Sequence, residues 1–337
     1  MRAYQVVENG VEMQPRVVIT YAKFADALIE EGILRAAGFE VFAPGPLVTE
    51  ERKELARSAG ALMVGIDKFE PELIETLDNC KIICRVGTGV DAIDIPAATS
   101  KGIWVTNVPD YSIDEVSSHA IALMMAQARY LFPHRQQGRA GIWRYRGETP
   151  IKRLSDQTLG IIGLGRIGKA SARKGRGLGM RVIAFDPYIP DSDFKSVGAE
   201  KANFDTVVSE SDYVTLHVPL TNETRKMIDA RALLLMKPTA FLVNTARGEV
   251  VDVPALVQAV RADQLAGAAL DVLPVEPPDL DDPVLHEERI IVTPHIAWAS
   301  AEAGIDVRVR GSEDVVRAVR GARPRYPLNE IEVQVAG

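Results

Sequence analysis

Short β-branched runs alternate with helical patterns along nearly the whole chain. Apolar stretches predict strands at 17–21 (VVITY), 40–44 (EVFAP), 61–65 (ALMVG), 81–86 (KIICRV) and 104–107 (WVTN). A long helix with an apolar face comes next, at 113–130. A second series of strands follows at 159–163 (LGIIG), 181–186 (RVIAFD), 212–218 (DYVTLHV), 240–245 (AFLVNT), 267–272 (GAALDV) and 290–295 (IIVTPH). Near-continuous apolar strands separated by helices imply parallel sheets covered on both faces. The pattern predicts an α/β protein of two doubly wound parallel-sheet domains, Rossmann-like or flavodoxin-like. Residues 1–108 with 299–337 are expected to form one domain and residues 109–298 the other. The helix in 300–320 is expected to return to the first domain, leaving an interdomain cleft as the active site. The first fifteen residues read as a short extension ahead of the first strand.

Composition narrows the function classes. The 337 residues fit about two domains. A formal net charge of -7 argues against a general nucleic-acid binder, which carries a basic face. One segment, 129–153, is locally basic through Arg129, Arg135, Arg139, Arg144, Arg146, Lys152 and Arg153. It reads as a solvated connector or a subunit-contact arm. No stretch approaches the ~20 apolar residues of a membrane span, and the amino terminus shows no apolar signal core. Cys80 and Cys84 are the only cysteines. They exclude a disulfide framework, give no basis for a metal site, and make a reducing cytoplasm the expected compartment.

The first candidate chemistry is LGIIGLGRIGKA, with Gly163, Gly165 and Gly168 in G-x-G-x-x-G spacing. The triplet alone is a weak signal. Here it follows an apolar strand, opens a helix, and precedes a second strand ending at Asp186, which is the dinucleotide-binding context. Gly163 permits the tight turn, Gly165 lets backbone approach a pyrophosphate, and Gly168 lets helix pack on strand. Amides near Arg166 and Ile167 would face the phosphates at the positive helix end. Asp186 would accept from the adenosine ribose hydroxyls and repel a 2′-phosphate. Pro187 and Tyr188 follow it, with no arginine to compensate, so NAD(H) is expected over NADP(H). A methyltransferase with a similar glycine turn is the competing reading of this motif alone.

Further candidates sit at strand ends of the second series: Arg247 in LVNTARGEVVD, Asp271 and Glu276 in ALDVLPVEPPD, and His295 in VTPHIAWAS. Ligands of open parallel sheets bind beyond the carboxyl ends of strands. Taken singly, Arg247 could be a surface residue, Glu276 a loop charge and His295 a core histidine. The motifs RVGTGVDAID, LGIIGLGRIG, FDPY, FLVNTARGEVVD, GAALDV and TPHIAWAS come in the order found in the D-isomer-specific 2-hydroxyacid dehydrogenases. The chain resembles that family from about residue 16 to 329. FDPY, DYVTLHVPL and PHIAWAS look most like the branch of the C-terminal-binding proteins and their bacterial relatives, in which a tryptophan follows the histidine as Trp298 does.

The resemblance implies the roles. His295 matches the general acid/base, Glu276 the carboxylate that orients it, and Arg247 the residue that polarises the keto group and holds the carboxylate. Arg85, with the backbone around Thr88 and Gly89, matches the carboxylate-binding loop. Tyr111 and Trp298 fall at possible substrate contacts, although either could serve packing. Asp271 matches the residue that receives the nicotinamide amide, and His217 and Thr245 are expected on the cofactor side. Ala92 stands where relatives commonly carry asparagine, so a local loop change is expected. The chemistry agrees with these roles. Hydride addition to a 2-oxo acid builds charge on oxygen, which a proton donor and a fixed cation must meet. His119, His134 and His286 show no partner of comparable quality.

The expected function is thus an NAD-dependent oxidoreductase acting on a small 2-oxo or D-2-hydroxy acid, as a homodimer joined through the nucleotide domain. Two alternatives stand beside it: an NAD(H)-sensing, corepressor-like binding protein, and a short D-3-phosphoglycerate dehydrogenase. The chain ends at residue 337, which argues against the longer, serine-regulated type of the latter. Trp298 and Tyr111 favour a neutral or modestly apolar substrate side chain, since a phosphate would want a further cation.

Overall fold

The computed structural model describes residues 6–8, 11–13, 15–21, 23–144 and 151–331. It divides into two compact units, Met1–Tyr111 with Ser300–Gly337, and Ser112–Ala299.

The first unit opens with β1 (Val6–Glu8) and β2 (Val11–Met13), paired antiparallel with Val6 opposite Met13. The segment expected to be a plain extension is therefore a hairpin; its strands are too short to show a period-2 pattern. A parallel sheet follows: β3 (Arg16–Ile19), β4 (Glu40–Phe42), β5 (Ala61–Val64), β6 (Ile82–Arg85) and β7 (Trp104–Thr106). Its order β4-β3-β5-β6-β7 is the flavodoxin-like arrangement. One face buries Val18, Leu62, Val64, Ile83 and Val105 against Phe69, Ile74 and Leu77. The helix Ala301–Val319 packs on β5, β6 and the helix Leu28–Ala36. A buried ion pair joins the two helices. Arg308 Nη2 lies 2.6 Å from Glu30 Oε2, and the Glu30 side chain is fully buried. Leaving either charge alone there would be costly, so the pair fixes where the returning helix docks.

The second unit contains β8 (Thr158–Ile162), β9 (Arg181–Phe185), β10 (Glu200–Lys201), β11 (Tyr213–Leu216), β12 (Phe241–Asn244), β13 (Gly267–Leu270) and β14 (Ile290–Val292). All pair parallel in the order β10-β9-β8-β11-β12-β13-β14, a Rossmann sheet extended by one strand. Alternate residues serve opposite cores. Ile162, Val214, Leu216, Leu242 and Leu270 face one cluster, while Leu159, Ile161, Tyr213, Val243 and Ala269 face the other. Both faces are apolar because helices cover both, which is why these strands read as unbroken apolar runs.

Two differences from the sequence reading have clear causes. β10 is two exposed, charged residues at the sheet edge and leaves no hydrophobic signature. β11, β13 and β14 stop two or three residues short of the expected ends, because the chain there leaves the ladder to form the site. Among the described residues no helix is long and apolar enough to cross a membrane.

Candidate active site

The order of the second sheet reverses between β8 and β11, where doubly wound sheets hold nucleotides. After β8 the chain turns at Gly163, whose φ of +90° favours glycine. A Cβ on Gly163 would also lie 2.6 Å from the His217 carbonyl oxygen. A Cβ on Gly168 would lie 2.1 Å from the Gly163 oxygen, so the helix can approach the strand only with glycine there. Gly165 is different, because a Cβ there would meet nothing within 4 Å. The helix Arg166–Gly177 starts at once, and its N-cap, Gly165, supplies no side-chain acceptor. The amides of Arg166 and Ile167 thus stand beside open space at a positive helix end, which fits a pyrophosphate.

Asp186 follows β9 and has a structural task as well as a charge. Its Oδ2 accepts from the Leu164 amide at 2.9 Å and its Oδ1 from the Tyr188 amide at 3.0 Å, tying the glycine turn to the end of β9. Thr245, just beyond β12, holds a buried hydroxyl oxygen with no hydrogen-bond partner among the described residues. Such a group needs a partner, and a bound dinucleotide would supply one. The ring of His217 is packed inward, with Nε2 3.0 Å from Ser171 Oγ and 3.2 Å from Thr215 Oγ1. Burial pushes its imidazole down to about 3, so it stays neutral. The His217 carbonyl borders the glycine turn. The residues present fit NAD(H).

The neighbouring strands β12, β13 and β14 bring Arg247, Asp271 and His295 to one sheet edge. Arg247 rests on a buried frame that the sequence reading missed. Asn244 Nδ2 donates to the Arg247 carbonyl at 2.8 Å, and its Oδ1 accepts from the Ala246 amide at 3.0 Å. The Arg247 Nη1 donates to the Ala246 carbonyl at 2.6 Å.

His295 sits in a left-handed turn, with φ of +53°. Such backbone in a non-glycine residue costs on the order of 1–3 kcal/mol and persists only where its surroundings impose it. The surroundings are specific. The His295 amide donates to the carbonyls of Asp271 (2.8 Å) and Thr293 (2.9 Å). The Asp271 carboxylate accepts from the Thr293 hydroxyl at 2.6 Å, the Ile296 amide at 3.0 Å and the Ala297 amide at 2.9 Å. Trp298 Nε1 donates to the His295 carbonyl at 3.1 Å. Burial raises the Asp271 acid, but hydrogen bonds from His119, Thr293, Ala297 and Ile296 outweigh it and hold it below its ordinary value. The Asp271 side chain is 0% exposed, so both its oxygens face the turn they organise.

The turn delivers His295 Nδ1 to 2.6 Å from Glu276 Oε2, while Glu276 Oε1 accepts from the Leu273 amide at 2.9 Å. Burial alone would raise the Glu276 acid. The bonds from His295 and Leu273 and the charge of His295 outweigh it and hold it low. A carboxylate against Nδ1 places a proton on that nitrogen and leaves Nε2 to exchange protons. The imidazole is 48% exposed, so a ligand can reach it.

In the first unit Arg85 ends β6, and its Nη1 donates to the Val86 carbonyl at 2.6 Å. The following loop is pinned to the segment after β7. The Thr88 carbonyl accepts from Asn107 Nδ2 at 2.6 Å, the Thr88 hydroxyl donates to the Val108 carbonyl at 3.4 Å, and the Val108 amide donates to the Gly87 carbonyl at 2.9 Å. Gly89 continues this loop. The Ala92 carbonyl accepts from the Phe69 amide at 2.7 Å, a backbone tie that needs no asparagine. Tyr111 is only 8% exposed, and Lys23 Nζ lies 5.8 Å from its ring centroid.

The family model for the D-isomer specific 2-hydroxyacid dehydrogenase, NAD binding domain, matches residues 121–297, more than half of the chain. The chain belongs to this dehydrogenase family. This member is 37% identical over 308 residues to the D-3-phosphoglycerate dehydrogenase of Archaeoglobus fulgidus, covering 90% of this chain and 58% of that protein. It is 34% identical to the glyoxylate reductase of Pyrococcus furiosus, over 96% of this chain and 98% of the relative. The structure of the D-lactate dehydrogenase from Aquifex aeolicus, complexed with NAD and lactic acid, matches with a TM-score of 0.83 at 29% identity. That match covers 90% of this chain and 96% of the other. The glycine turn, Asp186 and Thr245 therefore lie in the NAD-binding domain of the family.

Proposed function

We propose that this family member interconverts a small 2-oxo acid and its D-2-hydroxy acid. The observation that carries the reading is His295 Nδ1 held 2.6 Å from Glu276, with Nε2 left to exchange protons. NAD(H), when bound, supplies or accepts the hydride at the carbonyl carbon. His295 gives the Nε2 proton to the carbonyl oxygen on reduction and takes it back on oxidation. Glu276 fixes the ring and keeps a proton on Nδ1. Arg247 neutralises charge on the reacting oxygen with a planar fork. Arg85 and the backbone at Thr88 and Gly89 receive the substrate carboxylate. Asp271 and Trp298 act by holding the His295 turn.

The Asp186 carboxylate would set the preference for NAD(H). Asp186→Ala is expected to raise the NADPH/NADH ratio of kcat/KM and also to weaken NADH use about tenfold, because the Leu164 tie is lost with the charge. Steady-state kinetics with both cofactors checks this; an unchanged ratio removes the assignment.

Lys23 bears on the substrate. Lys23 is exposed by surface area, yet desolvation by the surrounding protein atoms, and then the charge of Arg85, push its ammonium down to about 8. As a cation beside Tyr111 and Arg85, it favours a second reading in which the 2-oxo acid carries another anionic group. NADH oxidation against glyoxylate, hydroxypyruvate, pyruvate, phenylpyruvate and 3-phosphohydroxypyruvate tests both readings. Preference for the phosphorylated substrate over hydroxypyruvate supports the phosphoglycerate reading, and preference for the others supports a neutral side chain. Turnover of none, with nucleotide-dependent assembly, would favour a sensor.

A homodimer is also proposed. The helix Leu131–Arg139 and the residues after it expose Leu131, Phe132, Ile142 and Trp143, the last to 90%. Residues 145–150 of that arm, Arg146 included, lie outside the described residues. Light scattering at micromolar concentration is expected to give twice the chain mass, and Trp143→Asp to give the monomer.

A further inference from the structure

We propose that His119 is a positioning residue that orients the His295 turn through Thr293 and Asp271. The proposal rests on the acid–base reading of His295.

His119 lies on the helix Ile113–Ala128, which provides none of the groups assigned above to substrate or cofactor. Its Nε2 is 3.2 Å from Thr293 Oγ1 and 3.5 Å from Asp271 Oδ1. The direction of these bonds follows from proton inventory. The Thr293 hydroxyl has one proton, and it lies 2.6 Å from a carboxylate oxygen that can only accept. That proton is committed to Asp271, so the hydroxyl oxygen must accept from His119. His119 therefore carries its proton on Nε2, and a directed chain runs from the helix through Thr293 into Asp271. On its other side Asp271 holds the amides of Ile296 and Ala297, which close the turn around His295.

This arrangement explains how a strained turn persists. The φ of +53° at His295 has to be imposed by groups outside the turn. Asp271 imposes it from just beyond β13, and His119 locks Asp271 from a separate element. The place in the chain is also telling. The helix begins directly after the chain enters the second unit at Ser112, and the turn ends as the chain leaves at Ala299. His119 ties together the entry and exit segments of that unit. A residue that served packing alone would not need a donor on Nε2.

The test uses the full chain with His119→Phe, His119→Gln, Thr293→Val and the double variant His119→Phe with Thr293→Val. His119→Phe is expected to lower kcat about tenfold with the KM for NADH nearly unchanged, the loss of one hydrogen bond felt in the transition state. Amide exchange at Ile296 and Ala297 should rise by about the same factor. Thr293→Val should give a loss of similar size, and the double variant should lose less than the product of the two single losses, because His119 and Thr293 act on the same Asp271 carboxylate. His119→Gln keeps an N–H donor and should recover much of the loss. Unchanged kcat and exchange in His119→Phe would overturn the proposal, as would additive losses in the double variant. If His119→Phe does not fold, Thr293→Val and His119→Gln decide by the same readouts. If the wild type reduces no 2-oxo acid but exchange rises in the variants, the acid–base reading fails while the positioning of the turn stands.

Discussion

Replacing His295 with asparagine is expected to lower kcat by about 10²–10⁴-fold, the usual worth of a positioned acid–base group. Asparagine is the informative substitution because it tolerates left-handed backbone. The turn at φ of +53°, held by Asp271 and Trp298, should survive it. What disappears is Nε2, the nitrogen proposed to exchange a proton with the substrate oxygen. NADH affinity, measured by fluorescence titration, should stay within about twofold of wild type, since the glycine turn is untouched. An asparagine variant that kept about a tenth of the activity or more would sink the assignment. The Glu276 partner adds a pH signature. Its carboxyl is held below the ordinary glutamate value of 4.5 by His295 and Leu273. A depressed carboxyl contributes above its unfolded value and is lost as pH falls through its folded one. The acid-side loss of activity caused by this group should therefore fall below pH 4.5, and Glu276→Gln should abolish that limb.

The parts of this molecule that were legible in the sequence are those set by repeating physical constraints. Strands covered on both faces must be apolar throughout, so LGIIG, FLVN and GAAL announce themselves. Gly163 and Gly168 are forced by backbone geometry and by a close approach, and no other residue fits either place. β10 was invisible because an exposed edge pair needs no apolar side chain. His119 carries no local mark for another reason. A histidine in SSHAIALMM has no local partner, and the residues it meets lie more than 150 positions away in Asp271 and Thr293. Asn244 was hidden as the polar end of an apolar run, although a fully buried amide at a strand end signals a backbone held in place. The ring of His217 was expected on the cofactor side, and only the fold shows it turned toward Ser171. Sequence marks residues required by period or by backbone shape. Residues required by a distant partner become visible only when the partner is placed.

Arg247→Lys should lower kcat/KM for the 2-oxo acid by about 10²–10³-fold, the range seen when one donor to a developing oxyanion is removed. Charge is retained, so the loss measures geometry. The arginine fork can engage the reacting oxygen and a carboxylate oxygen together, whereas an ammonium is a single compact charge on a flexible stem. The frame makes that geometry matter: Asn244 binds the Arg247 carbonyl and the Ala246 amide, and the Arg247 side chain binds back to the Ala246 carbonyl. A lysine on the same frame would point correctly but could not span two oxygens. The KM for the oxo acid should rise and kcat should fall, while the KM for NADH holds. Arg247→Ala should regain activity with added guanidinium but not with added ammonium, since only the former restores the planar donor pair. If lysine supports nearly full activity, a point charge suffices at this position. Arg247 would then serve only to balance charge.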